Sequence, residues 1–163
     1  MVSQSVKATT AAESRFRISN PNSKGRSSLV LGLEASSADL LANVASREWS
    51  GARFRTVIQT GGVQENDLVL QAPDGKQSKL SDELVNADVV VMFACSGDPA
   101  QAAAVVGEAA FGRRKMTAGF VLDEHNDRQG LEKTLSALRP YVISLVVGPD
   151  AESFGETLEA IRA

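Results

Sequence analysis

Between Ala87 and Phe111 the chain lays out a strand, a turn and a helix start in immediate succession, and this restricts the fold more than any other stretch. Val89 to Ala94 is a short continuous apolar run, the pattern of a parallel strand covered on both faces. Ser96-Gly97-Asp98-Pro99 follows it. These residues predict a turn, an N-cap at Asp98, and a proline at the first position of a helix running to about Phe111. In open α/β sheets, ligands bind outside the carboxyl ends of the strands, at such a junction.

The same alternation recurs along the chain. Leu29 to Leu33 reads as a first strand, and Ser36 or Ser37 as the cap of a helix to about Glu48, with Leu40, Leu41, Val44 and Ala45 on one face. Arg53 to Ile58 reads as a second strand. Leu68-Val69-Leu70 before Ala72-Pro73-Asp74-Gly75 predicts a small strand and turn, with a hairpin as one form of it. Lys79 to Asn86 predicts a short helix, with Ser81 as a candidate cap. After the central strand come a basic loop, Arg113-Arg114-Lys115, and a fourth strand from Met116 to Leu122. A helix from Asp127 to Leu138, a fifth strand from Val142 to Val147 and a last helix capped by Asp150 complete the pattern. Strands separated by helices of this length imply βαβ units with right-handed crossovers. The expected architecture is a three-layer Rossmann-like α/β fold, a mostly parallel five-stranded sheet with helices on both faces. Strand order 3-2-1-4-5 is preferred and a flavodoxin-like order is the alternative.

Composition narrows the function classes. A chain of 163 residues accommodates one domain with a real core, and 43% hydrophobic and 23% charged residues are ordinary for a globular protein. No apolar run approaches the roughly 20 residues needed to span a bilayer, so no membrane association is expected. A single cysteine rules out an internal disulfide and a single histidine argues against a structural zinc site, which fits a cytoplasmic setting. The net charge of −3 is unevenly spread: residues 1–28 hold Lys7, Arg15, Arg17, Lys24 and Arg26 against Glu13 alone, giving +4 there and −7 in the remainder. Residues 1–28 therefore read as a flexible basic tail and residues 29–163 as a single domain. The acidic body argues against nucleic acid as the principal partner.

If the sheet is parallel, one edge gathers Glu34-Ala35-Ser36-Ser37, Gln59-Thr60-Gly61-Gly62, Cys95-Ser96-Gly97-Asp98, Asp123-Glu124-His125-Asn126 and Gly148-Pro149-Asp150. The candidate ligand-binding residues are Glu34, Ser36, Ser37, Ser96, Gly97, Gln101, Asp123 and Asp150. No phosphate motif is intact: the first loop reads Leu31-Gly32-Leu33-Glu34-Ala35-Ser36-Ser37, with a carboxylate where a pyrophosphate would approach. Cys95 is a candidate nucleophile, its thiol placed before a helix dipole, with His125 or Asp98 in support. The competing reading of Cys95 is a small buried apolar residue. Asp123, Glu124 and Asp127 around His125 read as a solvated loop and cap rather than a metal site.

Taken in order, several segments resemble the nucleotide-binding half of the tubulin-like bacterial division GTPase family, FtsZ. Leu29 to Leu33, its helix, and Trp49-Ser50-Gly51-Ala52-Arg53-Phe54 look like that family's first strand, helix and second strand. Asn86 to Ala94 looks like its central strand, Val105 to Val121 like the helix and strand after it, and Leu138 to Asp150 like a later strand segment. The resemblance spans roughly residues 29–150 and implies a Rossmann-like fold with a remnant or repurposed ligand cleft; it firmly implies no cofactor, and GTP or another nucleotide is the candidate to test. It departs from the family at the glycine-rich loops: Ser96-Gly97-Asp98-Pro99-Ala100-Gln101-Ala102 stands where the family has G-G-G-T-G-T-G. The central helix and activation domain would begin where this chain ends, near Ala163. GTP hydrolysis and filament formation are therefore not implied. The leading expectation is a non-catalytic domain binding a small molecule or a protein partner at the carboxyl edge. The alternatives are a small enzyme using Cys95, and an assembly subunit or homo-oligomer burying Trp49, Phe111 and Phe154 against a partner chain.

Overall fold

Apolar runs with period two and amphipathic stretches with period 3.6 alternate, and each forms the element its period favours. The computed structural model describes residues 25–60, 68–161 and 163. The basic tail before residue 25 and the Gly61-Gly62 loop lie outside the described residues. The strands are β1 (Ser28–Gly32), β2 (Ala52–Thr60), β3 (Leu68–Gln71), β4 (Gln77–Lys79), β5 (Val89–Cys95), β6 (Met116–Leu122) and β7 (Ser144–Gly148). The helices are α1 (Ala38–Ala45), α2 (Leu80–Val85), α3 (Ala102–Gly112), α4 (Arg128–Leu138) and α5 (Ala151–Ala160).

The strands form one sheet in the order β4-β3-β2-β1-β5-β6-β7. β2, β1, β5, β6 and β7 are mutually parallel, while β3 and β4 add an antiparallel pair outside β2. The α/β class, the parallel core of five strands and the two helical layers match expectation; the total strand count and the preferred order 3-2-1-4-5 do not, and the alternative, flavodoxin-like order is the one found. The sheet has seven described strands rather than five, because Leu68–Gln71 and Gln77–Lys79 join it as a hairpin. That hairpin also explains the order. β3 pairs along the free side of β2, with Thr60 opposite Leu68, and closes that edge to a third parallel strand. β5 must therefore cross to the other side of β1. The parallel strands run 2-1-3-4-5, the flavodoxin-like order, and not 3-2-1-4-5.

Successive side chains of a strand point to opposite faces, so each interior strand feeds two cores. Leu29, Leu31, Val90, Met92 and Val121 pack under α2, α3 and α4. Val30, Phe54, Val91, Phe93, Phe120 and Leu122 pack under α1 and α5. In the second core Phe154 of α5 sits with its ring centroid 4.7 Å from that of Phe93 and 4.8 Å from that of Phe120. Phe154 is thus core and cannot serve as the expected interaction residue. Trp49 is half-buried against Phe54, 5.6 Å between centroids. Phe111 alone of the three is exposed.

Helix boundaries shift where the expected caps are used otherwise. The first helix begins after a single 3-10 turn, Ala35–Ser37, and ends at Ala45. Ser37 occupies its N-cap position but makes no side-chain capping hydrogen bond, and Ser36 lies in the 3-10 turn before it. Ser81 does not cap α2; its N-cap position is Lys79. α3 begins at Ala102 rather than Pro99, with Gln101 at its N-cap position. Asp127 and Asp150 do cap α4 and α5, accepting from Gln129 N and Ser153 N. The Arg113-Arg114-Lys115 loop lies at the amino edge of the sheet, opposite the strands' carboxyl ends.

Candidate functional site

Parallel pairing places the ends of β1, β5, β6 and β7 on one edge, and backbone bonds carry the ladders past them. Leu33 N donates to Phe93 O at 2.9 Å, Ser96 N to Leu122 O at 2.7 Å and Asp123 N to Gly148 O at 2.9 Å. The loops that follow are therefore held side by side. Between the loops after β5 and β6 opens a cleft of about 310 Å³, lined by Cys95, Ser96, Leu122, Asp123, Glu124, His125 and Asp127. Four expected residues, Cys95, Ser96, Asp123 and His125, meet there. A smaller cavity of about 170 Å³ lies between α1 and the β2–β3 edge, lined by Asp39, Phe54, Thr56 and Gln71 among others.

The remaining candidates occupy other positions. Glu34 spans the junction between the loops after β1 and β5: its Oε1 accepts the Ala100 amide at 3.1 Å. Ala100 is buried with φ of 48°, a left-handed conformation that costs a non-glycine residue energy. Burial, and then the nearby Asp98, push the Glu34 carboxyl pKa up, while the Ala100 hydrogen bond pulls it down. The protein's own carboxylate thus takes a backbone amide that a bound anion would otherwise use. Ser36 and Gln101 are exposed outside the cleft lining. Ser37 is fully buried, its hydroxyl beside the Cys95 sulfur but without a well-formed hydrogen bond. Asp150 is committed to α5, with Oδ1 accepting both Ser153 N and Ser153 Oγ at 2.7 Å, and these bonds hold its pKa low.

Asp98 does not cap the helix after it. Its Oδ2 accepts the Cys95 amide at 2.9 Å, which folds the Cys95–Asp98 turn back on itself, and Gly97 takes φ of 93° to allow this. The turn is then clamped from α4 by Thr134, a buried residue that sequence reasoning missed. Its Oγ1 accepts the Gly97 amide at 3.0 Å and donates to Asp98 O at 2.8 Å. A signal was present: Thr134 stands on the apolar stripe of Leu131, Leu135 and Leu138, where a hydroxyl needs partners.

Cys95 is the candidate most changed by the structure. Its thiol pKa is raised to about 11, first by burial and then by the charges of Asp98 and Glu124. The expected helix-dipole activation is missing because α3 starts seven residues later, at Ala102. A thiol in this state is protonated at neutral pH and a poor nucleophile. Among the described residues, no three His, Cys, Asp or Glu groups gather as a metal site. Also among them, no helix is long and apolar enough to cross a membrane.

No family model matches the chain, and no curated protein does. Solved structures do. A flavoprotein from Lactobacillus acidophilus NCFM, determined in complex with FMN, covers 82% of this chain and 99% of its own at 12% identity, with a TM-score of 0.51. A protein described as pilus assembly-related, from Burkholderia pseudomallei K96243, covers 88% of this chain and 94% of its own at 15% identity, with a TM-score of 0.46. At such identities the likeness to the flavoprotein is one of fold: an α/β sandwich on a mostly parallel sheet, which is what the chain's own hydrogen-bond ladders show.

Proposed function

We propose that this protein is a non-catalytic binding domain whose small-molecule ligand enters the cleft between the loops after β5 and β6. The observation that carries the reading is the convergence of Cys95, Ser96, Asp123, Glu124, His125 and Asp127 around one cavity at the carboxyl ends of adjacent parallel strands. Its size suits a single ring system. The acidic rim favours a neutral or cationic ligand over a phosphate, and Glu34 at the β1–β5 junction works in the same direction. A flavin ring without its phosphate is one candidate, on the likeness of fold to the FMN-bound flavoprotein. The kinship with tubulin-like GTPases is a further proposal of the same kind, resting on the scaffold segments of residues 29–150, and it makes GTP a second probe. The raised Cys95 pKa weighs against thiol catalysis at neutral pH.

The test is amide NMR titration of the full chain with riboflavin, FMN, GTP and a small-fragment library. Shift changes confined to residues 95–98 and 122–127, stronger for riboflavin than for FMN, support the reading. Changes mapping to the α1–β2 cavity, or none with any compound, overturn it.

A further inference from the structure

β7 is an edge strand with the composition of a central one. From Val142 to Gly148 the chain reads Val-Ile-Ser-Leu-Val-Val-Gly, without a charge or a proline. Runs of this kind belong to parallel strands buried on both faces. Yet among the described residues β7 pairs with β6 alone, and Ile143 is 75%, Val146 41% and Val147 44% exposed. Alternation puts Val147 and Val146 on opposite faces, so both sides of the edge are apolar. The backbone is also available. Ile143 N donates to Thr117 O at 3.0 Å, so by alternation the Ser144 and Val146 amides point away from β6.

The opposite edge is built differently. β4 has three residues, Gln77-Ser78-Lys79, with Gln77 and Lys79 exposed, and such short, polar, lysine-bearing edges resist pairing. β7 has none of these protections. We propose that β7 is a self-association surface, pairing antiparallel with β7 of a second copy about a two-fold axis near Val146. A second copy is the occupant that the chemistry favours. An uncharged strand meets its own mate with no like charges opposed, and a two-fold contact closes at two subunits. With the axis at Val146, Ser144 of one copy faces Gly148 of the other and the β-branched Val146 side chains meet. The sheet becomes continuous across the dimer. A five-residue ladder is a small contact, so association is expected at roughly 10–100 µM rather than at nanomolar concentration. The clefts after β5 and β6 stay open in this arrangement.

Sedimentation of the full chain from roughly 1 to 500 µM tests it, with Val146→Lys and Val146→Cys alongside. The expected result is a shift from the 17.2 kDa chain to twice that mass, lost in Val146→Lys at unchanged circular dichroism. Directly paired strand residues lie about 4.5–5.5 Å apart between Cα atoms, within disulfide range. Val146→Cys is therefore expected to oxidise to a covalent dimer, while the wild-type chain with its half-buried Cys95 does not. A monomer across the whole range overturns the proposal. So does a dimer that survives Val146→Lys, or one that leaves Val146→Cys uncrosslinked, since either would place the contact on another face.

Discussion

Replacing Glu83 by alanine tests how far a charge cluster, rather than apolar packing, holds α2 to the sheet. Glu83 is 7% exposed as a side chain, and its carboxylate meets Arg53 Nη1 at 2.6 Å and Arg55 Nε at 2.7 Å. Ser78 Oγ donates to the same group at 2.9 Å, and Arg53 Nη2 donates to the Glu83 carbonyl at 3.1 Å. One side chain thus ties two neighbouring arginines of β2 to β4 and α2. Hydrogen bonds to a charged group contribute about 1.5–3 kcal/mol each. The three made by the carboxylate do not add, because one substitution removes them together. The arginine side chains are also 29% and 21% exposed, so water recovers part of the loss. Breaking a buried pair from one side costs about 3–5 kcal/mol, and the partial exposure places this case near about 3 kcal/mol. For a domain of this size that is a fall in Tm of about 6–12 °C. The assay is urea unfolding by far-UV circular dichroism at pH 7, in 0.1 M and 1 M NaCl. Buried pairs are screened little, so the difference between wild type and Glu83→Ala should persist in high salt. Adding Arg53→Met and Arg55→Met to Glu83→Ala should restore stability, since no buried charge is then unpaired. A cost below about 1 kcal/mol, or a difference that vanishes at 1 M NaCl, refutes the reasoning.

Thr134→Val removes the hydroxyl clamp on the Cys95–Asp98 turn, and is expected to cost about 1–2 kcal/mol and to speed hydrogen exchange of the Gly97 amide; unchanged exchange would mean the clamp is incidental. Glu34→Gln keeps an acceptor for Ala100 but removes a carboxylate whose pKa is raised, chiefly by burial. A raised carboxyl pKa means the native state favours the protonated form, so wild-type stability falls as pH rises through the Glu34 titration. Glu34→Gln should therefore melt higher than wild type at pH 7 and equal to it at acid pH, and a constant difference across pH contradicts this. For Cys95, alkylation by iodoacetamide at pH 7 should be slower than for a free thiol, with stability declining only as pH passes from the ordinary thiol value of 9.0 towards about 11. Rapid labelling at pH 7 would restore the nucleophile reading.

Elements were legible in the sequence because they follow from local periodicity. The apolar run of Val89 to Ala94, the stripe of Leu131, Leu135 and Leu138, and the aspartate caps of α4 and α5 each act within one or two turns of chain. The edge on which Cys95, Ser96, Asp123 and His125 gather also follows, once parallel pairing is inferred from strand–helix alternation. Strand order did not follow, because it turned on whether a four-residue strand, Leu68–Gln71, would pair along β2 and close that edge. The chemistry of the site was likewise decided by contacts between residues far apart in sequence. Glu34 reaches Ala100, Thr134 reaches Gly97 and Asp98, and the burial that raises the Cys95 pKa arises from the packed layers around it. Local sequence determines which segments become strands and helices and which way their apolar faces turn. Only the tertiary structure decides which edges meet and what each charged or polar group finds opposite it, because those energies belong to pairs the chain brings together last.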